Sequence, residues 1–374
     1  MSEAAGQSRG HGVRVALVLA TSTGGVGRHV RSLAGGLASA GYDVTVCGPW
    51  ETQERFDFTG GGVRFAPVEI PSGPDPVRDT TAITRLRLVL RRLHLDVVHA
   101  HGLRSGLVSS LARPHGVPLV VTWHNLMLAG GLRGKVYGAL ERIVARTADL
   151  TLCASEDLVG RVLALGGRDV RLGPVAAPSL EAPSRAAGQV REELGAVERP
   201  LLLTVARLNP QKSLDVLVRA AARWRERRPT PLVAVAGTGP SEDELRALID
   251  ATGAPVRLLG HRTDIADLLA ASDIAVVTSQ WEARQLFAQE ALAAGRPLVA
   301  TQVGGLPGLV GDAAVLVPAG DVDALDIAVR KLLDNPGMRT DLSERALAQA
   351  GSWPTESDTV EQIEAVYQEL TGHP

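Results

Sequence analysis

Residues 282–290 read EARQLFAQE, two glutamates eight positions apart, and run straight into ALAAGRPLVAT. Carboxylates accept hydrogen bonds from vicinal hydroxyls, so a sugar and a ribose are natural partners for such a pair. Spacing alone does not establish this. With 20 glutamates in 374 residues, chance supplies about one pair at this separation, and Glu356 and Glu364 repeat it near the C-terminus. The surroundings distinguish the first pair. DIAVVTSQW reads as a strand ending just before Glu282, and Glu290 falls inside the helix that LFAQEALAAG begins.

Two other strand ends carry polar residues. After VRVALVLA (13–20) comes TSTGGVGRHV, whose Gly24, Gly25 and Gly27 would let backbone N–H groups approach an anion at a helix N-terminus. Val30 stands where the last glycine of G-x-G-x-x-G belongs, and a tight turn without any ligand uses the same glycines equally well. After PLLLTVA (200–206) comes RLNPQKSLDVL, with Arg207 at the strand end and Lys212 near the next helix start. Two converging cations suit a diphosphate. Surface arginines and lysines are common, but the macrodipole opposes a lysine at a helix start, and an anion nearby would rationalise it. DVD at 321–323 has the form of a metal-binding Asp-x-Asp, yet it opens ALDIAVRKLL and reads as a helix cap.

The elements that must hold these residues alternate regularly. Apolar runs at 13–20, 43–47, 96–100, 118–122 and 149–153, then at 200–206, 231–236, 256–260, 273–278, 297–301 and 313–317, lack polar alternation, as strands buried on both faces do. Helical patterns separate them, which gives parallel α/β structure twice over. The Pro-, Ala- and Ser-rich stretch 171–188 marks the break. The expected domains are 1–178 and 179–354, both doubly wound and Rossmann-like and facing across a cleft, with a C-terminal helix at 355–374 packing back on the first. Ligands of such sheets bind at their carboxyl edges, beside helix N-termini.

A formal charge of −2 gives no global attraction to nucleic acid or an anionic membrane. Cys47 and Cys153 lie in apolar runs and read as buried thiols, which suits a reducing cytoplasm. Arg9 and Arg14 before the run 15–20 imitate a signal peptide, but that run is short and a glycine turn follows it. No stretch approaches the roughly 20 apolar residues of a membrane span. The pattern at 77–94 puts Leu86, Val89, Leu90 and Leu93 on one face, flanked by Arg85, Arg87, Arg91 and Arg92. It fits a solvated helix over the sheet and would also suit peripheral contact with an anionic membrane.

VARLNPQKSLDVLVRAA, VAGTGPSEDEL, Glu-x7-Glu and ALAAGRPLVATQVGGLPGLV, in this order, resemble the retaining glycosyltransferases of family 4, which have the GT-B fold. The N-terminal TGGVGRHVRSLAGGLASAGYDVTV, DVVHAHG and VTWHN are similar to that family too. The resemblance implies a nucleotide-sugar donor and retention of the anomeric configuration. Carried over residue by residue, it places Gly25 at the donor phosphate and Arg207 and Lys212 at the diphosphate. It places Glu290 at the ribose, Glu282 at the hexose and His124 at the sugar pocket, with the backbone of His261 and Arg262 facing the base. His99 and His101 read as structural or acceptor-side. The family's Glu-x-Phe-Gly becomes Glu282-Ala283-Arg284-Gln285, and Ala206 and Ser213 replace glycines often found beside the Arg and Lys.

With cations on the leaving diphosphate, neither a metal nor another cofactor is expected, and Arg207, Lys212, Glu282 and His124 are the catalytic candidates. The acceptor, a hydroxyl compound, cannot be read from loops such as MLAGGLRGK (127–135). A nucleotide-sugar epimerase, a nicotinamide-dependent oxidoreductase and a non-catalytic sugar-nucleotide binding protein are the alternatives, the second weakened by the missing glycine fingerprint.

Overall fold

The computed structural model describes residues 12–22, 24–73, 75–126, 130–173, 175–176 and 180–372. The chain forms two compact units, residues 1–178 with 354–374, and residues 179–353. Arg9, one of the two arginines that imitate a signal peptide, lies outside the described residues, as does part of the loop 127–135.

The first unit contains β1 (Arg14–Leu19), β2 (Asp43–Gly48), β3 (Arg64–Pro67), β4 (Val97–His101), β5 (Leu119–Trp123), β6 (Leu150–Cys153) and β7 (Val170–Leu172). Their order in the sheet is β3-β2-β1-β4-β5-β6-β7, all parallel. The second contains β8 (Leu201–Val205), β9 (Leu232–Ala236), β10 (Val256–Gly260), β11 (Ile274–Val277), β12 (Leu298–Thr301) and β13 (Ala314–Val317), ordered β10-β9-β8-β11-β12-β13 and again parallel. Both sheets are doubly wound. Their order reverses between β1 and β4 and between β8 and β11, the switch points where helix N-termini diverge and a ligand finds room.

The continuous apolar runs are explained by burial on two sides. Leu201 and Leu203 of β8 enter one core cluster and Leu202 the other; Ala275 and Val277 of β11 likewise oppose Ile274 and Val276. Side chains alternate across a strand, so a strand covered on both faces needs apolar residues at every position. β3 and β7 had no such run to reveal them. They are sheet edges of four and three residues, half-exposed, and their sequences carry Arg64 and Arg171.

The C-terminal helix Glu356–Thr371 belongs to the first unit, where Ile363, Val366 and Tyr367 join the core of Val15, Leu17 and Leu33. Glu364, of the Glu356/Glu364 pair, is buried in this helix; burial first, and its charge second, push the Tyr42 hydroxyl up to about 12. The helix Pro76–Leu93 buries Ala82, Leu86 and Leu90 and leaves its five arginines, Arg78, Arg85, Arg87, Arg91 and Arg92, exposed. Cys47 and Cys153 are buried free thiols, both pushed up to about 12 chiefly by burial. Among the described residues no helix is long and apolar enough to cross a membrane.

Candidate functional site

In the second unit the loops after β8, β11 and β12 are stitched together. Lys212 Nζ forms an ion pair with Glu282 Oε1, and Ser279 Oγ donates to the same oxygen at 2.6 Å. Gln211 Nε2 donates to the Trp281 carbonyl at 2.8 Å, and Thr278 Oγ1 to the Lys212 carbonyl at 2.9 Å. Thr301 Oγ1 donates to the Ser279 carbonyl at 2.7 Å, and the Gly305 N–H to the Glu282 carbonyl at 2.8 Å. The Lys212 and Glu282 side chains are only 17% and 11% exposed. Charges this far from water need a partner, and each is the other's. Arg207 is exposed and makes no ion pair among the described residues. The tertiary structure thus joins Lys212 and Glu282, which the resemblance had given separate tasks.

Local geometry accounts for several departures from the family pattern. Ser213, where relatives often have glycine, sits at φ 44° and ψ 44°, the left-handed region a glycine enters without strain. Gln285 caps the helix Leu286–Ala293 by accepting the Ala288 N–H. Arg284 lies over the Trp353 ring at 5.5 Å and donates from Nε to Gln289 Oε1 at 3.1 Å. Burial lowers its guanidinium to about 10. Both replacements therefore hold the unit together.

Glu290 lies half-buried within that same helix. Arg262 differs from the simplest donor-binding expectation. Its guanidinium is chelated by Asp264 at 2.7 and 2.6 Å and reaches Glu193 at 2.7 Å. Hydrogen bonding to Asp264, then to Glu193, raises its pKa further. The contact expected at 261–262 runs through the main chain, which these side-chain pairs do not involve. Asp321 caps the helix Val322–Asp334, accepting the Ala324 N–H at 2.9 Å, and Asp323 pairs with Arg223 at 2.6 Å.

In the first unit, Gly25 opens the helix Gly25–Ser39, and a Cβ there would meet nothing within 4 Å. Gly27 lies inside that helix, not before it, and its Cβ would strike the Phe56 ring at 2.2 Å. Packing explains Gly27; nothing in the unit's packing requires glycine at Gly25. His124 follows β5, buried, with Nε2 3.3 Å from His101 Nδ1. His99 is fully engaged: Nδ1 meets the Tyr367 hydroxyl and Nε2 the Thr122 hydroxyl, both at 2.7 Å. Residue-by-residue reading missed Gln211 and Gly304, whose neighbours in space are distant in sequence, and Ser279, which bonds Glu282 only three residues on.

Gly304 tests this stitching. At φ +51° its Cβ would lie 2.1 Å from the Glu282 carbonyl oxygen. Gly304→Ala should lower stability by about 1–3 kcal/mol and impair activity, whereas Gly25→Ala should leave the denaturation midpoint unchanged. Equal midpoints for Gly304→Ala and the parent would mean that the Glu282 loop is not held as described.

Two family descriptions match the chain: a glycosyl transferase 4-like domain over residues 24–178 and glycosyl transferases group 1 over residues 188–349. The chain belongs to the family-4 type of glycosyltransferases with the GT-B fold. It is 32% identical over 378 residues to a glycogen synthase of Mycobacterium tuberculosis, covering 91% of this chain and 90% of that protein. It is 30% identical over 353 residues to a D-inositol 3-phosphate glycosyltransferase of Mycobacterium marinum, covering 87% of this chain and 72% of that one. Among solved structures, Anabaena Alr3699/HepE in complex with UDP-glucose is similar with a TM-score of 0.80 at 18% identity, over 95% of this chain and 99% of that one. The sucrose-phosphate synthase tll1590 of Thermosynechococcus elongatus gives 0.80 at 20%, over 97% and 100%. The protein is an enzyme that transfers glycosyl groups.

Proposed function

We propose that this glycosyltransferase moves a hexose from a nucleoside-diphosphate sugar to a hydroxyl acceptor with retention of configuration and without a metal ion. One observation carries the reading: Lys212 is held by Glu282, whose carboxylate also accepts from Ser279, at the β8–β11 switch point, in the unit that also holds Arg207, exposed and without an ion pair among the described residues. The relatives named as a glycogen synthase and a glycosyltransferase support the transfer reaction, and UDP-glucose in the Anabaena protein supports the donor class.

A diphosphate entering there would draw the ammonium from Glu282 and leave that carboxylate for the sugar hydroxyls. As the bond from the anomeric carbon to the phosphate oxygen breaks, its electron pair goes to the diphosphate, where Arg207 and Lys212 stabilise the charge. The acceptor oxygen bonds the anomeric carbon on the same face, and its proton passes to the departing phosphate oxygen. No protein base is assigned.

The test is a thermal-stabilisation screen of nucleotide sugars, then acceptor trials read by nucleotide release and by the anomeric configuration of the product. The expected result is a retained linkage formed at the same initial rate with and without EDTA. Isomerised sugar with no nucleotide released would make the protein an epimerase. An inverted product would remove the same-face step. Activity lost on chelation and restored by Mg²⁺ or Mn²⁺ would mean that side chains alone do not neutralise the diphosphate.

A further inference from the structure

Two buried histidines stand at the carboxyl ends of neighbouring strands in the first unit. His101 is the last residue of β4 and pairs in register with Thr122 of β5, so His124, two residues beyond Thr122, lies beside it. Their rings are nearly parallel, at 22°, and His101 Nδ1 is 3.3 Å from His124 Nε2. His99, two residues before His101 and hence on the same face of β4, stacks on the His101 ring at 4.3 Å. His29, from the helix that follows β1, packs T-shaped against both His101 and His124, at 5.4 and 5.3 Å.

Burial first, and the neighbouring imidazoles second, hold His101 and His124 well below 6.5, so both rings are neutral at neutral pH. A neutral imidazole has one N–H and one bare nitrogen, and in this pair one ring donates while the other accepts. The nitrogen used in that bond decides where the other proton sits. If His124 donated, the His101 proton would sit on Nε2, which is sealed inside without a hydrogen-bond partner. A buried N–H with no acceptor is a rare defect in folded proteins. With His101 donating from Nδ1, the sealed nitrogen is bare, and His124 accepts at Nε2 and carries its own proton on Nδ1. His124 Nδ1 makes no hydrogen bond among the described residues, and it is not sealed in as His101 Nε2 is.

We infer that His101 is a positioning residue for the sugar pocket: by donating from Nδ1 it holds His124 as the Nδ1–H tautomer and leaves that N–H for a hydroxyl oxygen of the transferred hexose, a role that depends on the proposed donor site with His124 at the sugar. His101 is itself held from below. The His99 ring on which it stacks is locked by the Tyr367 and Thr122 hydroxyls, each at 2.7 Å, and so cannot turn. Tyr367 is fully buried and comes from the C-terminal helix, which thus reaches the pocket through two stacked rings. A donor oriented in advance by buried neighbours needs no reordering when the sugar arrives.

The experiment uses the full chain and reads the proton first, the ligand second. ¹⁵N-histidine spectra separate a protonated ring nitrogen from a bare one, and His124→Phe identifies the His124 signals by their loss. Expected are Nδ1–H at His124 in the parent and a mixture of tautomers in His101→Phe, which keeps a stacking ring but deletes the donor. His101→Asn, whose amide N–H takes the place of Nδ1, should restore Nδ1–H. Calorimetry with UDP-glucose and UDP follows. His101→Phe should weaken UDP-glucose at least roughly tenfold and leave UDP within about twofold, a difference that mere loss of packing does not produce. His101→Asn should bind UDP-glucose within about threefold of the parent. Nε2–H at His124 in the parent, a His124 proton indifferent to His101→Phe, or undiminished UDP-glucose binding by that variant would overturn the inference. Should His101→Phe not fold, or the parent not bind UDP-glucose, the spectra of the parent and His101→Asn decide. His124→Phe keeps the two readings apart. If it binds UDP-glucose as the parent does, His124 is not at the sugar and the donor-site placement falls; if it alone weakens binding, that placement stands and the role of His101 is overturned.

Discussion

Arg207→Ala lowers kcat/KM by two or more orders of magnitude while leaving the melting temperature where it was. The guanidinium is exposed and makes no ion pair among the described residues, so its removal disturbs no internal contact. Losing a cation aimed at the charge that develops on the leaving diphosphate costs on the order of 3 kcal/mol. Lys212→Ala should cost as much in turnover, but for a second reason it should also melt earlier. Its removal strands the Glu282 carboxylate in a nearly buried position, and breaking one partner of such a pair is worth about 1–3 kcal/mol of stability. The double variant Lys212→Ala/Glu282→Gln separates the two effects. It should recover much of the stability and none of the activity. Near-normal kcat/KM in Arg207→Ala and Lys212→Ala would remove the diphosphate from this place.

Glu290→Ala and Glu282→Ala should differ in which ligand they lose. Glu290 is assigned to the ribose, present in donor and nucleoside diphosphate alike, so its removal weakens both. Glu282 is assigned to the transferred hexose, and its loss should cost the intact donor about 1–3 kcal/mol. Its ion pair with Lys212 adds a sign. Without Glu282 the ammonium no longer has to leave a carboxylate, so the bare diphosphate should bind as well as before or more tightly. Calorimetric titration of both variants would use the nucleotide sugar that stabilises the protein most, and its nucleoside diphosphate. Equal weakening of both ligands by both variants would reduce the eight-residue spacing to coincidence.

Periodicity made the architecture legible because strands covered on both faces must be apolar throughout. Eleven runs in the sequence correspond to β1, β2, β4, β5, β6 and β8 to β13. The two short edges, β3 and β7, lack that requirement and left no trace. The Asp321 cap was equally readable, since a cap is a contact between residues three apart. Family membership was carried by strings of residues around Arg207, Lys212, Glu282 and Glu290. What the sequence could not determine is which side chains meet. The Lys212–Glu282 pair spans 70 positions, and the Gly305 N–H that holds the Glu282 carbonyl comes from a third loop. His29, His101 and His124 come from three separate elements and gather only because β1, β4 and β5 lie side by side. The Arg262 guanidinium is held by Asp264 and, 69 positions away, by Glu193, a pairing that residue type does not announce. Such pairings depend on strand order and loop path, which long-range packing decides, so charge and residue type alone leave them open.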